Sequence, residues 1–297
     1  MANIIDLNDQ NIIDIIASKD TKKVGIICAL DETGSIKLCN RWSEEFLEQG
    51  YDVIRLPVGS EFADEVLPHL DGLLMPGGDS NIHPQSYEDR YQRPLYGDDT
   101  FDQERDAFSF DLFKKAYDMD MPVLGICRGM QEMIVASGGA LRRLPTDMVD
   151  HTLGYKTRFK EDGSLCLKGL DTRAHHISIS NNSDLLEMFN GTNVLYVNSV
   201  HKEGITRDMW DAQEMRPLRD TFSIQAMAPD GVVEAIQAKD KSCIWGFQAH
   251  FEIAGPMHDV VYSNFFNHID AYHERHRPKN AKNDSQHNGD QPDMVVA

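Results

Sequence analysis

Residues 121–132 read Met-Pro-Val-Leu-Gly-Ile-Cys-Arg-Gly-Met-Gln-Glu, and this stretch organises the rest of the chain. Met121–Ile126 is a short apolar run, as expected of a buried strand. Met130–Ala136 opens a helix that stops at Ser137-Gly138-Gly139. Between them, Gly125-Ile126-Cys127-Arg128-Gly129 has the form glycine-x-nucleophile-x-glycine, a sharp strand-to-helix turn that presents its central side chain. A cysteine there gains from the helix N-terminus, which favours thiolate over thiol. The backbone N–H of Arg128 faces the same point and could donate to an oxyanion. Cys28 lies inside a continuous apolar run, and Cys39, Cys166 and Cys243 have no comparable setting. Those four are read as packing or surface residues.

Outward from this turn, β-favouring runs alternate with helical periodicity. Strands are expected at Lys23–Ala29, Asp52–Pro57, Asp71–Met75 and Met121–Ile126, with helices at Trp42–Gly50 and Asp102–Asp118. Later strands are expected at 194–199, 222–228, 232–238 and 244–249, the middle pair joined by Pro229-Asp230-Gly231. A final helix runs from Pro256 to about His273. This pattern predicts one α/β domain over residues 22–276, with a mostly parallel central sheet and a small antiparallel addition. Residues 1–21, with isoleucines broken by Asp and Asn, are expected to form a helical extension. Residues 277–297 are polar and expected to be a disordered tail.

Composition narrows the function. The 297 residues carry 29 Lys plus Arg against 48 Asp plus Glu, a formal charge of −19. Such a field repels a phosphate backbone and no basic run overrides it, so nucleic acid is not an expected partner. It tolerates, and could attract, a cationic small molecule. Apolar stretches are too short to span a bilayer, and the acidic N-terminus is unlike a signal peptide. The five cysteines form no CxxC pair, so neither a zinc knuckle nor a disulfide framework is indicated. These features point to a cytoplasmic protein. His175-His176 and the group His268, His273 and His276 are read as solvated histidines, with no metal and no cofactor expected.

A thiolate chemistry needs a base, and the candidate is Gln248-Ala249-His250-Phe251-Glu252. It lies at the end of the strand expected at 244–249. Residues i and i+2 on a strand project to one face, so His250 and Glu252 can point together and the carboxylate can orient the imidazole.

These residues bring a family into view. The chain resembles class I glutamine amidotransferases, and within them the γ-glutamyl-γ-aminobutyrate hydrolases, cysteine hydrolases of γ-glutamyl amides in polyamine and putrescine breakdown. The resemblance runs from about Lys23 to His273 and rests on six blocks in order. They are Met75-Pro-Gly-Gly-Asp-Ser-Asn-Ile-His-Pro84 with Tyr87, Arg105-Asp106, Gly125–Glu132, Val197-Asn-Ser-Val-His-Lys-Glu-Gly204, Ala228-Pro-Asp-Gly-Val-Val-Glu-Ala235 and Gly246–Glu252.

The resemblance implies a three-layer flavodoxin-like sandwich, with Cys127 as nucleophile, His250 as base and then acid, and Glu252 orienting it. It implies an oxyanion hole from Gly78 and Arg128, and a glutamyl pocket lined by Gly77, Gln131, Asn198, Ser199, Val200 and His201. The substrate would be a small γ-glutamyl compound, with no cofactor, no membrane and no nucleic acid; self-association is left open. One departure stands out. The family usually has Trp-His-Pro-Glu at the base, and here Ala249-His250-Phe251-Glu252 removes the proline that fixes φ. That predicts a reshaped pocket wall and a less rigidly held base. Two other readings stay open: a glutaminase component feeding ammonia to a synthetase, and a binding or regulatory homologue without turnover.

Overall fold

The computed structural model describes residues 2–7, 13, 14, 16, 17, 20–30, 33, 36, 39–154, 172–253 and 256–276. The first half of the chain supplies strands β1 (Ile4–Asp6), β2 (Lys23–Cys28), β3 (Asp52–Pro57), β4 (Gly72–Met75), β5 (Val123–Ile126) and β6 (Arg142–Arg143). The second half supplies β7 (Arg173–Ile179), β8 (Val194–Asn198), β9 (Glu203–Gly204), β10 (Phe222–Met227), β11 (Val233–Ala238) and β12 (Ile244–Phe247). Ten of these form one sheet in the order β1-β3-β2-β4-β5-β12-β11-β10-β7-β8, while β6 and β9 pair separately. Five of its nine pairings are parallel, from β1 to β12, and four are antiparallel, from β12 to β8.

The strand alternation builds three layers. Every residue of β2 is buried, because successive side chains enter opposite layers. Val24 and Ile26 join a cluster with Leu74, Leu124, Trp42, Phe46, Val261 and Phe265, under helices α1 (Cys39–Glu48) and Pro256–His276. Ile27 joins the opposite cluster with Leu73, Met75, Leu112, Phe113, Met130 and Met133. That layer is covered by α2 (Gln103–Asp118) and α3 (Arg128–Ala136). Asp102 caps α2, its side chain accepting the Arg105 N–H at 3.0 Å, a contact worth about 1 kcal/mol.

The N-terminal segment corrects one expectation. Ile4–Asp6 is not helical but pairs in parallel with β3, because the Asn3 N–H donates to the Asp52 carboxylate at 2.8 Å and aligns Ile4 with Val53. Helical residues appear at 13, 14, 16 and 17, with Ile13 and Ile16 buried in the core. The tail from 277 to 297 and the side chains of Cys39 and Cys166 lie outside the described residues. Cys28, read as a packing residue, is disulfide-bonded. Strand β7 also goes beyond the sequence reading: it carries His175, which is 7% exposed and not solvated. Among the described residues no helix is long and apolar enough to cross a membrane.

The site follows from this topology. β5 lies between β4 and β12, so the loops leaving the carboxyl ends of all three meet over one crevice, the usual ligand position in open α/β sheets. Those loops carry Gly77 and Gly78, Cys127, and His250 with Glu252.

Candidate active site

Cys127 sits between β5 and α3 with φ 52° and ψ −105°, a conformation that costs a residue with a side chain about 1–3 kcal/mol. Neighbours hold it there. Its N–H donates to the Phe247 carbonyl at 2.7 Å, and its carbonyl accepts the Gln131 N–H at 3.1 Å. The flanking glycines are required by close approach. A Cβ on Gly125 would lie 2.3 Å from the Met133 sulfur, and one on Gly129 would lie 1.9 Å from the Met75 carbonyl oxygen. The tight turn therefore lets α3 press against β4 and β5 with Cys127 at its tip, 4% exposed.

His250 meets Glu252 by a different route from the one the strand pattern predicts. β12 ends at Phe247, and Phe251–Ile253 forms a single 3-10 turn. His250 and Glu252 are therefore not neighbours on one face of a strand. The turn curls the carboxylate back instead, placing Glu252 Oε1 2.7 Å from His250 Nδ1. Asn198 at the end of β8 clamps the same residue from the other side. Its Oδ1 accepts the His250 N–H and its Nδ2 donates to the His250 carbonyl, both at 2.8 Å. A Cβ on Gly77 would lie 2.9 Å from His250 Cε1 and 3.6 Å from Cys127 Cβ, so loop, imidazole and thiol converge on one point. Burial alone would lower the His250 pKa, but the negative charge of Glu252 and then that of Cys127 outweigh it. The imidazolium is thereby stabilised well above its ordinary range.

Phe251, expected to reshape the pocket wall, packs inward. Its ring meets Phe247 edge-on at 5.2 Å and Tyr262 at 5.6 Å, and it is 3% exposed. Core anchoring of Phe251 and the Asn198 clamp together fix the backbone beside His250, as a proline would.

Beneath the loop after β4 lies a charge network whose function the sequence reading missed. Arg105 donates from Nε to Glu132 Oε1 at 2.9 Å, from Nη2 to the Pro76 carbonyl at 2.6 Å and from Nη1 to the Gly77 carbonyl at 3.3 Å. Arg128 donates to Asp106 at 2.6 Å, to the Ser80 carbonyl at 2.9 Å, and to Glu132. Asp106 in turn accepts the His83 N–H at 2.9 Å. Two buried arginines and two buried acids thus hold the 76–83 loop against α2 and α3. Gly78 rests directly on them, since a Cβ there would lie 2.5 Å from Arg105 Nη1 and 3.1 Å from Arg128 Cδ. The signal was available: charged residues at 105, 106, 128 and 132 fall on helices whose other buried residues are mostly apolar.

The remaining predicted pocket residues go to three places. The Val200 carbonyl lies 3.9 Å from Cys127 Sγ, which places this residue at the thiol. Gln131 donates its amide N–H groups to the Glu203 carbonyl at 2.9 Å and to Gln248 Oε1 at 3.2 Å. Ser199 and His201 reach a buried group that also contains His151 and Glu234.

A thiol on a strained strand-to-helix turn, an imidazole paired to a carboxylate, and a glycine loop opposite them define the glutamine-amidotransferase-like class of α/β enzymes. The chain belongs to the Peptidase C26 family, whose sequence profile matches residues 27–252. It is 29% identical over 243 residues to a glutamine amidotransferase-like protein of Rickettsia prowazekii, covering 72% of this chain and 82% of that one. It is also 29% identical over 192 residues to the gamma-glutamyl-gamma-aminobutyrate hydrolase of Escherichia coli O157:H7, covering 64% of this chain and 66% of the relative, just under two thirds. The fold matches the glutaminase domain of Trypanosoma brucei CTPS with bound acivicin at 14% identity, with a TM-score of 0.57, covering 86% and 94% of the two chains. It also matches a GMP synthase component of Thermoplasma acidophilum at 19% identity, with a TM-score of 0.54, covering 86% and 97%. The chain is thus a hydrolase or amidotransferase-like enzyme of that fold.

Proposed function

We propose that the protein hydrolyses a γ-glutamyl amide, of the γ-glutamyl-aminobutyrate or γ-glutamyl-polyamine type, through a thioester on Cys127. The observation that carries this reading is the meeting of Cys127, His250 with Glu252, and the Gly77 loop at one point. The Cys127 thiolate attacks the γ-carbonyl, and the N–H groups of Gly78 and Arg128 receive the oxyanion. As the C–N bond breaks, the His250 imidazolium gives its proton to the leaving amine. His250, now neutral, takes a proton from water, whose hydroxyl displaces the sulfur and releases glutamate. Asn198 holds the base by its backbone, which makes it a positioning residue in this scheme.

Glutamate release from γ-glutamyl-aminobutyrate, γ-glutamyl-putrescine, γ-glutamyl-spermidine and glutamine tests the proposal. Turnover of one or more γ-glutamyl amides, abolished in Cys127→Ala, is the expected result. Turnover of glutamine alone would favour the glutaminase reading. Tight binding with no release from any compound would favour the homologue without turnover.

A further inference from the structure

Four buried acceptor atoms meet behind the 198–201 segment. Glu234 Oε1 lies 3.4 Å from His151 Nδ1, 3.6 Å from His175 Nε2 and 3.7 Å from His201 Nε2. All four residues are 7% exposed or less. The far nitrogen of each ring already faces an acceptor: Asp230 Oδ2 at 2.9 Å for His151, the His176 carbonyl at 3.2 Å for His175, and the Glu203 carbonyl at 3.0 Å for His201. An imidazole that donates from one nitrogen presents a lone pair at the other. Three lone pairs therefore face a carboxylate oxygen, that of His151 Nδ1 sharing its place with the Ser199 hydroxyl at 3.4 Å. Among the described residues, both Glu234 oxygens, His175 Nε2 and His201 Nε2 have no hydrogen-bond partner. Buried acceptors facing one another are costly unless something positive lies between them.

The spacing says what that is. A tetrahedral metal with ligand bonds of about 2.1 Å holds its donor atoms about 3.4 Å apart. Contacts of 3.4 to 3.7 Å around Glu234 Oε1 come close to that edge, and the donor atoms of His151, His201 and Glu234 all lie within 4.8 Å of one another. Two imidazoles and a carboxylate, with the His175 imidazole next to them, are a borderline-soft donor set suited to zinc. The Asp230–His151 contact is the carboxylate–histidine support usual behind such a ligand. Access exists as well, since His151 and His201 line a surface pocket with Arg143, Pro145 and Lys202.

We propose that His151, His201 and Glu234 form a zinc site, with His175 Nε2 beside it at 3.6 Å from Glu234 Oε1. Its ligands are all buried behind the 198–201 segment, so its role is structural. It ties β11 to the segment that carries Asn198 against His250 and Val200 against Cys127.

The test uses the full chain, purified without a polyhistidine tag, stripped with a chelator and titrated with zinc chloride against a chromophoric competitor. Cobalt(II) replaces zinc in a parallel titration. One equivalent of zinc, an intense tetrahedral cobalt spectrum and a raised thermal midpoint are expected. Glu234→Gln should weaken zinc by about 100-fold or more, and Asp230→Asn by about 10–100-fold. The second variant decides the matter should the first fail to fold. Cys127→Ala should retain the full equivalent, because Cys127, His250 and Glu252 are the competing donor set. Less than stoichiometric zinc in the unaltered protein would overturn the proposal. So would loss of zinc in Cys127→Ala with Asp230→Asn unaffected.

Discussion

His250 is held between opposing influences, and their balance sets the pH behaviour of the proposed mechanism. Burial disfavours its charged form, whereas Glu252 and Cys127 favour it, and the charges prevail. The proton needed by the leaving amine is therefore retained to a higher pH than an ordinary histidine, near 6.5, would allow. Removing the Glu252 charge must lower that limit. In Glu252→Gln the alkaline limb of the kcat/KM profile is expected to move down toward neutrality, with kcat falling more than KM. An unmoved limb would show that Glu252 does not tune the base. The same pairing predicts that Cys127→Ala lowers the His250 pKa, which histidine ring NMR can follow directly.

The strand-to-helix turn depends on atoms that are not there. Gly129 leaves room for the Met75 carbonyl, and an added methyl would arrive 1.9 Å from that oxygen. Backbone cannot swing aside as a side chain can, so Gly129→Ala should cost about 1–3 kcal/mol or more and disturb Cys127. Urea unfolding measures the first effect and turnover the second; an unchanged midpoint would contradict the packing described. This element was legible in the sequence because glycine spacing and apolar runs are local signals. Asp52–Pro57 matches its expected bounds, and the parallel half of the sheet follows the predicted order of strands and helices. Other elements were hidden because their causes are not local. β1 depends on the open edge of β3, and β7 carries a histidine pair that interrupts its apolar pattern. The approach of Glu252 to His250 was foreseen, but it comes from a 3-10 turn that two residues of spacing cannot distinguish from a strand. The cluster of His151, His175, His201 and Glu234 joins residues far apart in the chain, and only the antiparallel wing brings them together.

At the scale of the whole molecule, the crevice lies where the parallel half of the sheet meets the antiparallel wing. Cys127 and the Gly77 loop come from one side, and Asn198 and Val200 from the other. The surrounding chain carries a formal charge of −19, a field that draws cations and repels anions. A cationic γ-glutamyl polyamine should therefore bind less well as salt rises, since screening shortens the reach of that field to about 10 Å at 0.1 M. KM for γ-glutamyl-putrescine is expected to increase with ionic strength, while that for γ-glutamyl-aminobutyrate stays level or falls. Equal salt dependence for the two would show that the charge serves solubility alone.

The central claim is a covalent one, and intact-mass spectrometry under rapid acid quench tests it most directly. During turnover of γ-glutamyl-aminobutyrate, one glutamyl group is expected on the peptide that contains Cys127. Glutamate release that continues without that adduct, and that survives in Cys127→Ala, would contradict it.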